Sequence, residues 1–595
     1  MRKLVAASLL AVALGLVPAC KPADPNSWDT HIEHIKDSGS RAKGFNNLER
    51  LVKSVSTAKD NAAQFKAFGE KVVPAFAEIW DDAAEQQTKM LQILLEMGHP
   101  AASTVWNKSL GLDGSSEARE RTKLALQGIL KARAVDSVDA VIEEFQKVVA
   151  DPKNDSGERA GELRVLMAKT LGVLGDKKAT PALVAAMEQT VDNQPVAVHR
   201  TAADALGRIA DPAATDALIT VTYRVPDSPT STNIGEKAKQ ALAAIGEPAI
   251  PKVLQMFKGE HDEVQTLAAS HGLQQFNVQN AGAGLLGAMG RESAVDDLIA
   301  YLPKDGCATA GDVPTKKPSP KKGGEEEPAI NEQAGNTRAV IANALGLIGD
   351  KRAVAALCPC AKSSKNPGDM FPIAEALGRI GGTEAVDCLV DVIKTGEYDQ
   401  ESVQNSDYIH QIRWEAGRFA LQAASAEDIG KVKEAIAAAS SEENVAKEMA
   451  PWAAGIAVVE ECKSDKDCYL GKVKDSSADW IVREKAAIEV MRMAPGDVAA
   501  ATEISKAYKV RNPDARVTMT WAAATMLGDG ETKCPACAKA FEDIRNAEKD
   551  SRIDKSFQLS VLMARYTIAK LRATGPTAAP ADSKSESKEE KPAAE

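Results

Sequence analysis

Asn343 opens the phrase NALGLIGDKRAVAAL, and Glu375 opens a near copy, EALGRIGGTEAVDCL. Two further versions stand upstream, DALGRIADPAATDAL from Asp204 and TLGVLGDKKATPAL from Thr170. This repetition constrains the fold more than any other feature, because each copy has the logic of a helical hairpin. In the first, Ala342, Leu345 and Ile348 recur at helical spacing. Gly349 ends that helix where a left-handed residue is cheap, and Asp350 is placed to cap the next. Val354 and Leu357 then start a second apolar stripe. Asp211–Pro212 and Glu247–Pro248 put proline just inside the following helix, where its missing N–H costs nothing. A hairpin with two apolar faces cannot bury both alone, whereas stacked neighbours can.

The spacing of the turns supports stacking. They fall near Gly175, Ala210, Gly246, Gly290, Gly349 and Gly381, in steps of 35, 36, 44, 59 and 32 residues. The long step contains DVPTKKPSPKKGGEEEPAINEQ, residues 312–333, read as a solvated, charged loop insertion. Fainter copies extend the array both ways, ILLEMGHPAASTVW from Ile93 and AATMLGDGETKCPAC from Ala523. WDTHIEHIKDSGSRAKGFNNLERLV reads as a capping helix leading into a first repeat. With aromatics at 4% and alanine abundant, small aliphatic residues suit close helix–helix packing better than a β-sandwich core. The expected fold class is all-α, an α-solenoid of stacked helical hairpins over residues 28–571, with a disordered tail over 572–595.

The residues resemble HEAT repeats, particularly the HEAT-like type also found in phycobilisome lyases. Thr337–Arg338 followed by AVIANALGLIGDKRAVAAL matches that family's pattern nearly throughout, and the likeness is strong from about Leu163 to Val392. Arg41, Arg200, Arg413 and Arg483 occupy similar places before their own copies. The resemblance implies that such an arginine meets an Asp of an adjacent turn, forming a ladder along the inner helices.

The amino terminus carries an address. Arg2 and Lys3 precede the apolar run LVAASLLAVALGLVPA, which ends at Cys20. This arrangement resembles a bacterial lipobox, implying a signal peptide over 1–19, a lipidated Cys20 and a short linker over 20–27; an ordinary secretory signal with Cys20 as a stray thiol is the alternative. Lys21, in place of an Asp, favours the outer membrane over the inner by analogy with enteric bacteria. The protein part would then lie in the periplasm or at the cell surface. Loss of Arg2 and Lys3 takes the net charge from −11 to −13, and an acidic chain without a basic stripe argues against a nucleic-acid partner.

Eight further cysteines, Cys307, Cys358, Cys360, Cys388, Cys462, Cys468, Cys534 and Cys537, form an even set, which in an exported protein favours disulfides. Cys462 and Cys468 bracket a polar turn, Cys534 and Cys537 form CPAC at another, and the first four lie on successive repeats where they can pair among themselves. Redox catalysis by CPAC is the sharper alternative, yet no strand–helix unit surrounds it. His31 and His34 share a helix face at a metal-compatible spacing but lack a third ligand, so a solvated capping helix is expected. His199 and His271 read as packing or surface residues. The glycines of GAGLLGAMG lack the surroundings of a phosphate loop and read as sites of close helix packing. Scattered acidic pairs such as Asp81–Asp82, Asp296–Asp297 and Glu442–Glu443 read as solvated helix faces.

No catalytic, metal or cofactor site is expected. The functional expectation is a non-enzymatic, membrane-anchored scaffold that holds another envelope protein or a peptide. A thiol-redox or bilin-lyase-like enzyme and a purely structural spacer are the alternatives.

Overall fold

The computed structural model describes residues 24, 26–155, 160–224, 234–302, 330–363, 367–395, 406–439, 449–527, 539–541 and 543–544, with the backbone alone at 154, 330–336, 363, 367–370, 395 and 406–414. The leader over 1–19, Cys20, Cys307, residues 312–329 of the insertion, the Arg413 side chain, Cys534, Cys537 and the tail over 572–595 lie outside what is described. The described residues are helical throughout, with no strand among them. They fall into two compact units, residues 1–174 and 175–595.

In the first unit the principal helices are α1 (Trp28–Lys36), α2 (Arg41–Thr57), α3 (Gln87–Met97), α4 (Ser116–Ala132), α5 (Val138–Ala150) and α6 (Glu162–Leu174). Helices α2, α3, α4 and α6 lie side by side, each packing on the next. The faint copy at Ile93 is a true hairpin: Gly98 ends α3 in the left-handed conformation and His99 caps the short helical turn that follows. His31, expected on a solvated face, is buried in α1 beside Ile35 and Trp28, because α1 turns that stripe onto the core.

The second unit continues the pattern with α7 (Thr180–Glu188), α8 (Val196–Ile209), α9 (Thr215–Arg224), α10 (Ile234–Ile245), α11 (Ile250–Lys258), α12 (Gln275–Met289), α13 (Ile330–Ile348), α14 (Arg352–Ser363), α15 (Pro367–Ile380), α16 (Thr383–Thr395), α17 (Ser406–Ala423), α18 (Ile429–Ala439), α19 (Trp452–Cys462), α20 (Lys466–Lys474), α21 (Trp480–Met493), α22 (Val498–Lys506) and α23 (Pro513–Met526). Helix α13 begins at Ile330, so the last four residues expected in the charged loop are helical. The run is free of proline and glycine, and nothing in it breaks a helix. The turns follow the sequence logic, with one refinement. Asp176 and Asp211 each accept a backbone N–H two residues on, but what they cap is a 3-10 turn that leads into the α-helix.

The repeated phrase explains the stacking atom by atom. A β-carbon on Gly207 would lie 3.0 Å from the Ala241 Cα. One on Gly287 would lie 2.5 Å from the Ala344 Cα, and one on Gly346 2.7 Å from the Ala376 Cα. The glycine of one copy therefore sits against the alanine that follows the polar residue in the next, and the backbones of α8 and α10, α12 and α13, and α13 and α15 approach closely. Gly282 does the same against Phe257, so Gly282 and Gly287 of GAGLLGAMG pack helices closely, as expected, while Gly290 ends α12 in the left-handed conformation. Two disulfides staple the unit, Cys358–Cys388 between α14 and α16 and Cys462–Cys468 between α19 and α20. Cys360 is also disulfide-bonded.

Candidate functional site, a groove along the inner helices

The first helix of each hairpin in the second unit forms an inner row, α10, α12, α13, α15 and α17, and a cavity of about 670 Å³ runs along it. Helix α23 supplies the facing wall. It is brought there by three contacts: Leu347 of α13 packs against the cluster that contains Trp521, Arg379 of α15 lies 5.9 Å from the Trp521 ring, and Arg418 of α17 lies 3.8 Å from Asp514. Without α23 the inner row would be an open concave face; with it, the row becomes a walled groove.

In the copies from α12 to α15, the residue two places before Leu-Gly lines this space, whereas Asp204 in α8 is paired with Arg208 and Lys237 instead. Asn343 and Glu375 hold that position in α13 and α15, and Gly284 holds it in α12. Glu415, before Ala-Gly-Arg in α17, is the equivalent in a shortened copy. Sequence reading missed these residues. The signal was present, in that a polar residue stands at this slot in several copies and has no packing role there. Phe371, Phe419, Leu347 and Val517 form an apolar floor between them, and Lys239 and Asp514 stand toward the edges.

Glu415 is strongly perturbed in the groove. Burial raises its carboxyl to about 7, Asp514, Glu375 and Glu484 push the same way, and Arg418 opposes them. The Arg418 guanidinium is committed elsewhere: its Nη2 donates to Glu484 Oε1 at 2.6 Å, and both residues are buried. Glu375 accepts from Arg379 within the same helix turn.

The arginine ladder implied by the family pattern takes a different form. Arg164 does meet an aspartate, donating to Asp155 Oδ2 at 3.2 Å inside the first unit. Arg483 instead donates to the Val473 and Ala507 carbonyls, at 3.1 and 2.5 Å, satisfying chain ends that a helix leaves open. Arg41 donates to the Ile35 and Asp82 carbonyls, and Arg200 is exposed. His199 is buried with its Nε2 2.8 Å from the Gln189 carbonyl, and His271 is exposed. Among the described residues no group of three or more His, Cys, Asp or Glu is arranged to hold a metal ion. No described helix is long and apolar enough to cross a membrane.

A family model for HEAT repeats matches residues 157–229 and 328–404. These two segments are HEAT repeats. The matched HEAT segments include α6, α8, α13 and α15, where the phrase is clearest. No curated protein matches the chain in sequence. Among solved structures, human deoxyhypusine hydroxylase in complex with glycerol is similar at 17% identity over 54% of this chain and 96% of its own, with a TM-score of 0.19. Kap121p is similar at 12% identity over 92% of this chain and 68% of its own, with a TM-score of 0.25. An engineered protein is similar at 14% identity over 87% and 98%, with a TM-score of 0.20.

Proposed function

We propose that this HEAT-repeat protein is a non-enzymatic scaffold, anchored through a lipid on Cys20 in the bacterial envelope, that holds a segment of another envelope protein in the groove of its second unit. The observation that carries the reading is the groove itself. A HEAT stack keeps its core between the repeats, so the inner helix faces are free to line a binding surface on rigid elements. Here that surface has an apolar floor and polar residues at a fixed slot in successive copies. The amino-terminal run ending at Cys20 supports the anchor, and the acidic charge of the chain disfavours nucleic acid as its cargo.

The test is capture from solubilised envelopes with the tagged full chain, an Ala281→Trp variant that fills the groove, and a Cys20→Ser variant. A protein recovered in stoichiometric amount with the parent and lost with Ala281→Trp supports the scaffold. Equal recovery with both places docking elsewhere and overturns the groove as its seat. The anchor predicts that Cys20→Ser moves the protein from the membrane to the soluble fraction; unchanged membrane association overturns it.

A further inference from the structure

The chemistry of the groove narrows what it holds, an inference that rests on the docking reading above. Glu415, Glu375 and Asp514 bring three carboxylates to the wall, where the bases are Lys239 and Arg418, and Glu375 already accepts from Arg379 of its own helix. Arg418 does not serve as a free counter-charge, because Glu484 already takes its guanidinium in the interior. The contact left to Glu415 from this base is a Nη1–Oε2 distance of 3.9 Å, too long for a hydrogen bond. Glu415 thus sits at the edge of the cavity, with 15% of its side chain exposed and its charge poorly compensated. Phe371 and Phe419 flank it with ring surface suited to an aliphatic stem.

We infer that the groove seats a lysine or arginine side chain carried by an extended segment of the partner protein, with the cationic head on Glu415 and the apolar neighbours of that residue across Phe371, Phe419 and Val517. An extended segment fits better than a small free amine. The inner helices from α10 to α17 stand side by side at about 8–10 Å per step, so the wall runs for roughly 30–40 Å, about ten residues of extended chain at ~3.3 Å each. Binding of the cation is also linked to pH. The carboxyl of Glu415 is raised by burial and by Asp514, Glu375 and Glu484, with Arg418 opposing. A bound cation stabilises the ionised form, so binding releases a proton and tightens as pH rises from 6 to 8.

The test uses the full chain and fluorescein-labelled decapeptides that alternate leucine with lysine or leucine with glutamine. The Leu/Lys peptide is expected to bind about tenfold more tightly than the Leu/Gln peptide, in line with the worth of one charge-assisted hydrogen bond. Glu415→Gln should remove about that tenfold preference while leaving Leu/Gln binding unchanged. Asp514→Asn, at an exposed position, should reduce the preference less and serves as a second variant should Glu415→Gln fold poorly. Equal binding of the two peptides, or an unchanged preference in both variants, overturns the inference. Spermidine competing as well as the Leu/Lys peptide overturns the choice of a protein segment over a free amine. If both peptides bind equally and Ala281→Trp blocks both, the groove docks segments without the cation preference. If no peptide responds to Ala281→Trp, the docking reading itself falls.

Discussion

Arg418 and Glu484 stand 66 residues apart in the chain and meet in the interior of the second unit, Nη2 to Oε1 at 2.6 Å. Helix α21, which carries Glu484, is a row of such ties. Lys485 donates to the Ala424 carbonyl at 2.5 Å, beyond the end of α17, and to Glu489 at 2.7 Å. Burial pulls the Lys485 ammonium down to about 8, against the attraction of Glu489. Arg492 donates to the Gly378 carbonyl near the end of α15, 114 residues away. Helix ends leave carbonyls open and carry partial negative charge. Helix α21 answers them with cations and packs on α23, so it ties the ends of α15 and α17 to the helix that walls the groove.

Breaking the first of these ties should be costly. Glu484→Leu takes from the buried Arg418 its one short carboxylate partner, leaving Glu415 and Asp514 at 3.8–3.9 Å, and is expected to destabilise the second unit by about 3–5 kcal/mol in urea unfolding. The double variant Arg418→Met, Glu484→Leu should recover much of that loss, since it removes both buried charges together. A double variant as unstable as the single one would show that the pair matters for packing more than for charge.

The raised carboxyl of Glu415 predicts a pH-dependent effect with a definite sign. Its value moves from an ordinary 4.5 to about 7 in the fold, so the ionised form is disfavoured there. The cost is absent below about pH 4.5, grows as pH rises, and is fully present above about 7. Glu415→Gln should therefore match the parent near pH 4 and exceed its stability by about 1–3 kcal/mol at pH 8. Thermal melts at the two pH values decide it, and a gap of the same size at both would refute the assignment.

Two glycine-to-alanine substitutions should act in opposite directions. Gly287→Ala pushes a methyl into the Ala344 backbone, and overpacking of this kind costs about 1–3 kcal/mol. Gly471→Ala in α20 meets nothing within 4 Å and should gain about 0.5–1 kcal/mol from helix propensity. Calorimetric melting of the two variants checks the pair.

The Cys358–Cys388 and Cys462–Cys468 disulfides should differ in worth according to the loops they close. The Cys358–Cys388 bridge spans 30 residues and Cys462–Cys468 spans 6. In the chain-entropy description, replacing both cysteines by serine costs about 3.6 kcal/mol for the first and about 2.2 kcal/mol for the second. Non-reducing peptide mapping should recover these two pairings, and a peptide joining Cys358 to Cys360 would contradict them.

Several features were legible in the residues because they are local. The turn at Gly349, the cap at Asp350 and the packing glycines of GAGLLGAMG each depend on neighbours a few positions away or on the next copy of the same phrase. The Cys462–Cys468 bridge closes one short turn and could be read from spacing. The partners of Arg483 could not, since they are carbonyls on helices at either side rather than the aspartate that the family pattern implies. His31 was misjudged because the orientation of a terminal helix depends on what it caps.

The sequence by itself determined the repeating unit and the way one copy buries the next, because the close approach of glycine to alanine is encoded within the phrase. The groove was decided only in three dimensions. Glu415, Glu375 and Asp514 become neighbours because α23 packs over α15 and α17, and charges on α21 tie these elements together across 61 to 114 residues of chain. Read along the sequence, Glu484, Lys485, Glu489 and Arg492 look like an ordinary charged helix face. In the fold they lie in the interior or at its edge, because carbonyls of distant helices accept from Lys485 and Arg492, Arg418 meets Glu484, and Glu489 accepts from both Lys485 and Arg492, which together compensate the loss of water.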